Sequence, residues 1–225
     1  MIEINIDQQT RANCDRFKQK EVASKYPSQY RIDNKRDQRE KKAILRCLQH
    51  IPRGAHVLDF PCGTGRLINL LHECGYQVSG ADSAASMIAL ASCNPAIGNT
   101  SESEVPFYES DVFDSGFDNG QFDAVVCNRL FHHFVESKDR QAALTELRRI
   151  SSGPIVVSFF NSFSTSMSYR KLRKFVQGQP IQDRTPVSLN RLAREARACG
   201  LEISYSTPSR WGISPLWYVV FKPAA

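Results

Sequence analysis

Three carboxylates, a pair of glycines and a pair of histidines stand where apolar runs of the sequence stop. Asp59 closes the run His56-Val57-Leu58, and the turn Phe60-Pro61-Cys62-Gly63-Thr64-Gly65 follows it. Glycine tolerates positive φ and carries no Cβ, so such a turn lets backbone come close to a small ligand. Leu67, Leu70, Leu71 and Cys74 then recur at helical spacing, opening a helix whose first N–H groups have no partner within it. Asp82 ends the next short run, Gln77–Ala81. It lies about twenty residues past the turn, the spacing at which an acid meets the hydroxyls of a ribose-bearing ligand. A carboxylate only accepts, and can take both hydroxyl protons. A helix N-cap is the other role open to Asp82, because Ser83–Ala91 reads as helical. Asp111 ends a third run, and His132-His133 follow a fourth. Imidazoles titrate near neutral pH and can take a proton from a reacting group; core or capping positions are the plain alternative for both.

Such groups work together only if strands deliver them to one edge. The apolar runs place strands at 56–59, 77–82, 105–112, 124–127, 153–160, 201–205 and 216–221, the fourth running on toward Phe134. Helical spacing falls between them, at 67–74, 83–91, 138–150 and 187–199, and ahead of them at 33–50. Alternating strand and helix predicts an α/β fold, a Rossmann-like doubly wound sheet of seven strands. It is mostly parallel with an antiparallel last strand. Residues 1–52 are expected to form an N-terminal cap with a helical segment, 1–30 being polar and weakly patterned. Residues 53–225 form the ligand-binding domain, with a lid insertion at about 161–187 that carries Arg170, Lys171, Arg173 and Lys174.

At 225 residues and 41% hydrophobic, the chain can bury a core. Its seven cysteines include no C-x-x-C pair and no zinc-type spacing, so no metal is expected. Reduced cysteines, no signal-peptide pattern and no long apolar run predict a cytoplasmic protein without a membrane span. The net charge of +6 is spread among 23 acidic residues, which reads as a solvated surface rather than a nucleic-acid face. Ile68 stands where a dinucleotide fingerprint wants its third glycine, and Gly65-Arg66-Leu67 lacks the Lys-Ser/Thr of a P-loop.

What remains, Val57-Leu58-Asp59-Phe60-Pro61-Cys62-Gly63-Thr64-Gly65-Arg66, resembles motif I of class I S-adenosylmethionine (SAM) methyltransferases, with Pro61 where the first glycine usually is. Phe122-Asp123-Ala124-Val125-Val126 and the downstream Leu130-Phe131-His132-His133 resemble a second signature of that family. The resemblance spans roughly residues 40–222. It implies SAM as cofactor, with Asp111 taking the adenine amine and backbone at the next residue reading the ring. The implied cofactor set is Asp59, Pro61, Cys62, Gly63, Thr64, Gly65, Asp82, Ser83, Met87, Asp111, Val112 and Asn128. Met87 lies near the adenine face or is a plain core residue. Tyr26, Tyr30, Arg129 and Phe131 are expected on the substrate side, and His132 or His133 as catalytic base, one of the two facing the pocket.

Asn128-Arg129-Leu130-Phe131 lacks the Pro-Pro of amino-methylating enzymes on nucleic acids and glutamine, the paired glutamates of arginine methyltransferases, and the acids of metal-assisted quinone-type O-methyltransferases. A small-molecule acceptor methylated on O, N or C is therefore expected. A lipid-linked or cell-envelope sugar is the alternative acceptor, and a non-catalytic SAM-binding scaffold the alternative of another class. With Gly63 and Gly65 in place and Ile68 blocking the dinucleotide pattern, the purified protein should bind S-adenosylhomocysteine in the micromolar range and NAD not at all. Calorimetry with both ligands checks this, and binding of NAD alone would reverse it.

Overall fold

In the computed structural model, which describes residues 5–18, 35–49, 51–94, 97, 105–164 and 185–224, the chain starts with α1 (Gln8–Asp15), a 3-10 turn (Arg16–Lys18) and α2 (Lys35–Leu48). There follow β1 (His56–Asp59), α3 (Ile68–Glu73), β2 (Gln77–Asp82), α4 (Ala85–Ser92), β3 (Phe107–Glu109) and β4 (Ala124–Cys127). A second 3-10 turn (Phe131–His133) leads to α5 (Ser137–Ile150), β5 (Ile155–Phe160), α6 (Leu189–Ala198), β6 (Leu201–Pro208) and β7 (Leu216–Pro223). The seven strands form one sheet in the order β3-β2-β1-β4-β5-β7-β6. β1 to β5 run parallel and β7 is antiparallel to both of its neighbours, so the expected doubly wound sheet is the one observed.

Every residue of β4 and β5 is buried, as strands covered on both faces require. Because side chains alternate across a strand, neighbours enter different cores. Leu58, Val125, Cys127, Ile155 and Val157 join Leu144 and Leu147 of α5 and Leu192 of α6 on one face. Val57, Ala124, Val126 and Val156 join Ile44 and Leu48 of α2 and Leu71 of α3 on the other. Each large aliphatic side chain removed from water contributes about 1.5–3 kcal/mol. The segment read as a cap helix thus lays Ala43, Ile44, Cys47 and Leu48 against the sheet. Tyr26, Tyr30 and residues 165–184 of the expected lid lie outside the described residues. The ends of that stretch meet, Ser162 N–H donating to Val187 O at 3.1 Å and Thr185 N–H to His132 O at 2.8 Å.

Two strand ends and one helix that bear on the site differ from expectation. β3 stops at Glu109, having run beside β2 from Gly80↔Phe107 to Asp82↔Glu109, so Asp111 lies beyond it in a bridge to Asp114. β4 stops at Cys127 rather than running on, because Arg129 takes φ +62° and turns the chain out of the sheet. Helix α1 arises where the sequence is polar and weakly patterned. Asp7 caps it, accepting from Thr10 N–H at 3.0 Å, and its anchors are hydrogen bonds: Thr10 Oγ1 donates to Asp139 Oδ2 at 2.5 Å and accepts from Val135 N–H at 3.0 Å. A helix docked by polar contacts leaves no apolar stripe to read.

Gly153, between α5 and β5, supports this frame. A Cβ there would lie 2.3 Å from the carbonyl oxygen of Asp123, whose own N–H donates to His56 O at 2.9 Å. That backbone is held and cannot give way cheaply, so Gly153→Ala should destabilise the protein by about 1–3 kcal/mol. Thermal unfolding measures this, and an unchanged Tm would show that the β4 edge relaxes freely.

Candidate functional site

The chain leaves β1 toward β2 and β3, then crosses back to β4 on the other side of β1. Where the strand order reverses, the loops at the carboxyl ends of β1 and β4 part and leave a crevice. A cavity of about 1000 Å³ of empty space, its mouth included, lies there. Asp59 at the end of β1, Asp82 at the end of β2 and Asn128 just after β4 all line it.

The turn after β1 is built from its own backbone and one carboxylate. Gly63 takes φ +56° and faces open space, nothing lying within 4 Å of where a Cβ would be. Gly63 N–H donates to Asp82 Oδ2 at 2.9 Å, and Ala84 N–H to Asp82 Oδ1 at 2.9 Å. Cys62 N–H donates to Ala81 O at 2.8 Å, which ties the turn to β2. Asp82 therefore shapes the turn while its carboxylate still lines the cavity. Burial raises its carboxyl above the ordinary range, while the N–H groups of Ala84, Gly63 and Ser83 pull it back. Gly65 does not reach the cavity: it takes φ +78°, and a Cβ would meet Ile97 Cδ1 at 2.3 Å. Its role is to let the turn close on the α4 side, which corrects its assignment to the ligand.

Pro61, Cys62, Thr64, Ser83, Met87, Asp111 and Val112 also line the cavity. Met87 does so while 2% exposed, so the core and ligand readings of it coincide. Asp111 Oδ1 accepts from Phe113 N–H at 3.0 Å, and its other oxygen pairs with Arg11. Burial pushes the Cys14 thiol up to about 12 and raises that of Cys62, so neither supplies a thiolate nucleophile near neutral pH.

Arg129 lines the cavity but is held from behind. Its Nη2 donates to Glu40 Oε1 and Oε2 at 2.7 and 2.6 Å, and its backbone N–H to Ser158 Oγ at 2.6 Å. Glu40, 1% exposed on α2, also draws Arg66 Nη2 to 3.6 Å, and Arg66 pairs with Asp37 one turn earlier. Buried charges are tolerated when paired and hydrogen-bonded like this. Of the histidines, His133 lines the cavity, whereas His132 stacks on Phe160 with ring centroids 4.6 Å apart. Phe131, expected on the substrate side, is 1% exposed in the core against Phe134; the 3-10 turn points it into the sheet face, which corrects that assignment. Arg11, Cys14, Asp15 and Lys18, which no sequence signature singles out, also line the cavity, from α1 and the turn after it. Asp7 three residues before Thr10 is the capping signal that could have revealed the helix. Among the described residues no group of three or more His, Cys, Asp or Glu side chains is arranged to hold a metal ion, and no helix is long and apolar enough to cross a membrane.

The strand order, the antiparallel β7 and the glycine turn after β1 are those of the class I SAM-dependent methyltransferase fold. Residues 57–152 match the family model described as a methyltransferase domain. The demethylmenaquinone methyltransferase of Thermus thermophilus is 35% identical over 124 residues, 53% of this chain and 53% of that protein. The chain thus matches about half the length of this relative. Among solved structures, the magnesium protoporphyrin IX methyltransferase of Synechocystis PCC 6803 with bound S-adenosylhomocysteine superposes with TM-score 0.73 at 15% identity, over 96% of this chain and 100% of that one. The PH0226 protein of Pyrococcus horikoshii OT3 gives TM-score 0.68 at 19% identity, over 90% and 98% of the two chains. These two likenesses are likenesses of fold.

Of the two strand-end carboxyls at the cavity, Asp59 is the more strongly perturbed. It is 1% exposed, and its Oδ1 is buried with no hydrogen-bond partner. Burial, opposed by Arg66 and reinforced by Asp82, pushes its carboxyl from the ordinary 3.8 up to about 8. The folded chain then keeps a proton that the unfolded chain releases, so stability should fall as pH rises from about 4 to about 8. Asp59→Asn removes the titration. Its Tm should match the wild type near pH 4 and exceed it at pH 8, by on the order of a few kcal/mol in stability. A gap between the two proteins that does not widen with pH would show that Asp59 is ionised in the fold.

Proposed function

We propose that this protein is a SAM-dependent methyltransferase acting on O, N or C of a small-molecule acceptor. The observation that carries the reading is the convergence of the expected cofactor residues, Gly65 excepted, on one cavity at the point where the strand order reverses. The donor set suits the cofactor. Asp82 offers acceptor lone pairs for ribose hydroxyls. The unpartnered buried oxygen of Asp59 faces a cavity where SAM would bring positive charge at its sulfonium and its amino group, and that charge would draw the proton off the buried carboxyl. Gly63 leaves backbone open to the cavity. When bound, SAM supplies a methyl group already activated for in-line displacement, so the protein's part is alignment and exclusion of water.

A hydroxyl acceptor must also lose a proton. His133, which lines the cavity, is the side chain we assign to take it as base. The Synechocystis and Thermus enzymes, by their names, act on small molecules, and exposed Phe163, Trp211 and Ile213 on the loops after β5 and between β6 and β7 favour a ring-bearing acceptor. The lipid-linked sugar alternative rests on Arg170–Lys174, which lie outside the described residues. A scaffold that had abandoned catalysis would be expected to lose the cavity, and this chain keeps it. Incubating a metabolite extract with methyl-labelled SAM identifies the acceptor. With that acceptor, His133→Ala should lower turnover about 100-fold or more with cofactor affinity intact. His132→Ala should mainly lower stability, and acid, which protonates imidazole, should slow the wild type. If both variants turn over at the wild-type rate, alignment alone carries the chemistry.

A further inference from the structure

Arg11 belongs to no sequence signature, yet it reaches the expected adenine end of the cavity. Its guanidinium pairs with Asp111 and lies 5.0 Å from the centroid of the Phe113 ring. Phe113 N–H in turn donates to the other oxygen of Asp111 at 3.0 Å. The three groups close a triangle in which each carboxylate oxygen of Asp111 has one fixed donor. All three line the cavity.

We propose that Arg11 is a positioning residue that sets the base specificity of the cofactor site by locking the Asp111 carboxylate. The proposal rests on the SAM reading given above. A carboxylate is an acceptor only. Held in one orientation, it presents its remaining lone pairs to the cavity and matches a 6-amino group, which donates. A 6-oxo group would set acceptor against acceptor. Such a site rejects the wrong base strongly only while it cannot turn away from it. The pair is 39% and 34% exposed at its side chains, and pairs of that kind add little to folding. Its consequence lies in orientation.

Helix α1 is also anchored without Arg11. Thr10 binds Asp139 and Val135, and Asn13 Nδ2 donates to His133 O at 3.0 Å. Arg11, Cys14 and Asp15, at i, i+3 and i+4, form the face that lines the cavity. Helix docking and control of Asp111 are therefore separable by mutation.

The test is calorimetric titration of the full chain with S-adenosylhomocysteine and with its 6-oxo analogue, S-inosylhomocysteine. Wild type should prefer the adenosyl compound by on the order of 100-fold. Arg11→Ala should weaken adenosyl binding about tenfold and reduce the preference to about tenfold or less. Arg11→Lys, which keeps a charged donor, should restore part of both. Asn13→Ala loosens the same helix without touching Asp111 and should keep the full preference. An unaltered preference in Arg11→Ala overturns the proposal, as does an equal loss in Asn13→Ala, which would trace the effect to helix undocking. The wild type separates the two levels of inference: if it does not bind S-adenosylhomocysteine, the SAM reading itself fails, whereas wild-type binding beside an unaltered preference in Arg11→Ala condemns the Arg11 proposal alone.

Discussion

The divergence of the chain on either side of β1 is the constraint from which the rest of the structure follows. β2 lies on one side of β1 and β4 on the other, so no connection crosses the gap between the carboxyl ends of β1 and β4. The turn after β1 stands over that gap, tied to β2 by Cys62 N–H on Ala81 O at 2.8 Å. Its brace is the Asp82 carboxylate, which takes N–H groups from Gly63 and Ala84. One buried acid thus joins two loops and still faces the cavity. An acid at the end of a strand would ordinarily be a tolerant position. Here its removal would leave two backbone donors without their acceptor on the wall of the cavity.

The second organising feature is buried charge held from outside the glycine turn. Asp37 and Glu40, one turn apart on α2, reach Arg66 and Arg129 from behind the cavity wall. Arg129 is the one non-glycine residue of positive φ among the described residues, a conformation that L-residues adopt at a cost. The fork of its guanidinium on Glu40 and its N–H on Ser158 Oγ hold it there. On the far side, Arg140 pairs with Glu195 and donates to Phe134 O at 3.0 Å, so the turn bearing His133 is fixed from the core. Side chains that line the cavity are therefore positioned by partners that do not, and rigid support is what alignment chemistry requires.

Much of the frame was legible in the sequence because it follows local rules. Short apolar runs and period-3.6 spacing located the seven strands and the helices packed on them. The ends of β1 and β2 could be read because apolar runs stop at Asp59 and Asp82. Helix α1 was hidden, since Thr10 and Asn13 bind polar partners more than a hundred residues away and leave no periodic apolar face. The break after β4 was hidden too, because nothing in Asn128-Arg129 announces a positive φ that a distant Glu40 makes tolerable.

Types and order along the chain, by themselves, determined the layered α/β architecture, the acids at the ends of β1 and β2 and the glycine turn, because burial periodicity and backbone freedom are properties of neighbouring residues. Tertiary structure alone decided which side chains meet. It put Gly65 against Ile97 rather than at the ligand, turned Phe131 inward and His133 to the cavity, and brought Arg11 to Asp111 across a hundred residues of chain. Those outcomes depend on the directions in which side chains leave a folded backbone and on partners supplied by remote elements, and no local pattern encodes either.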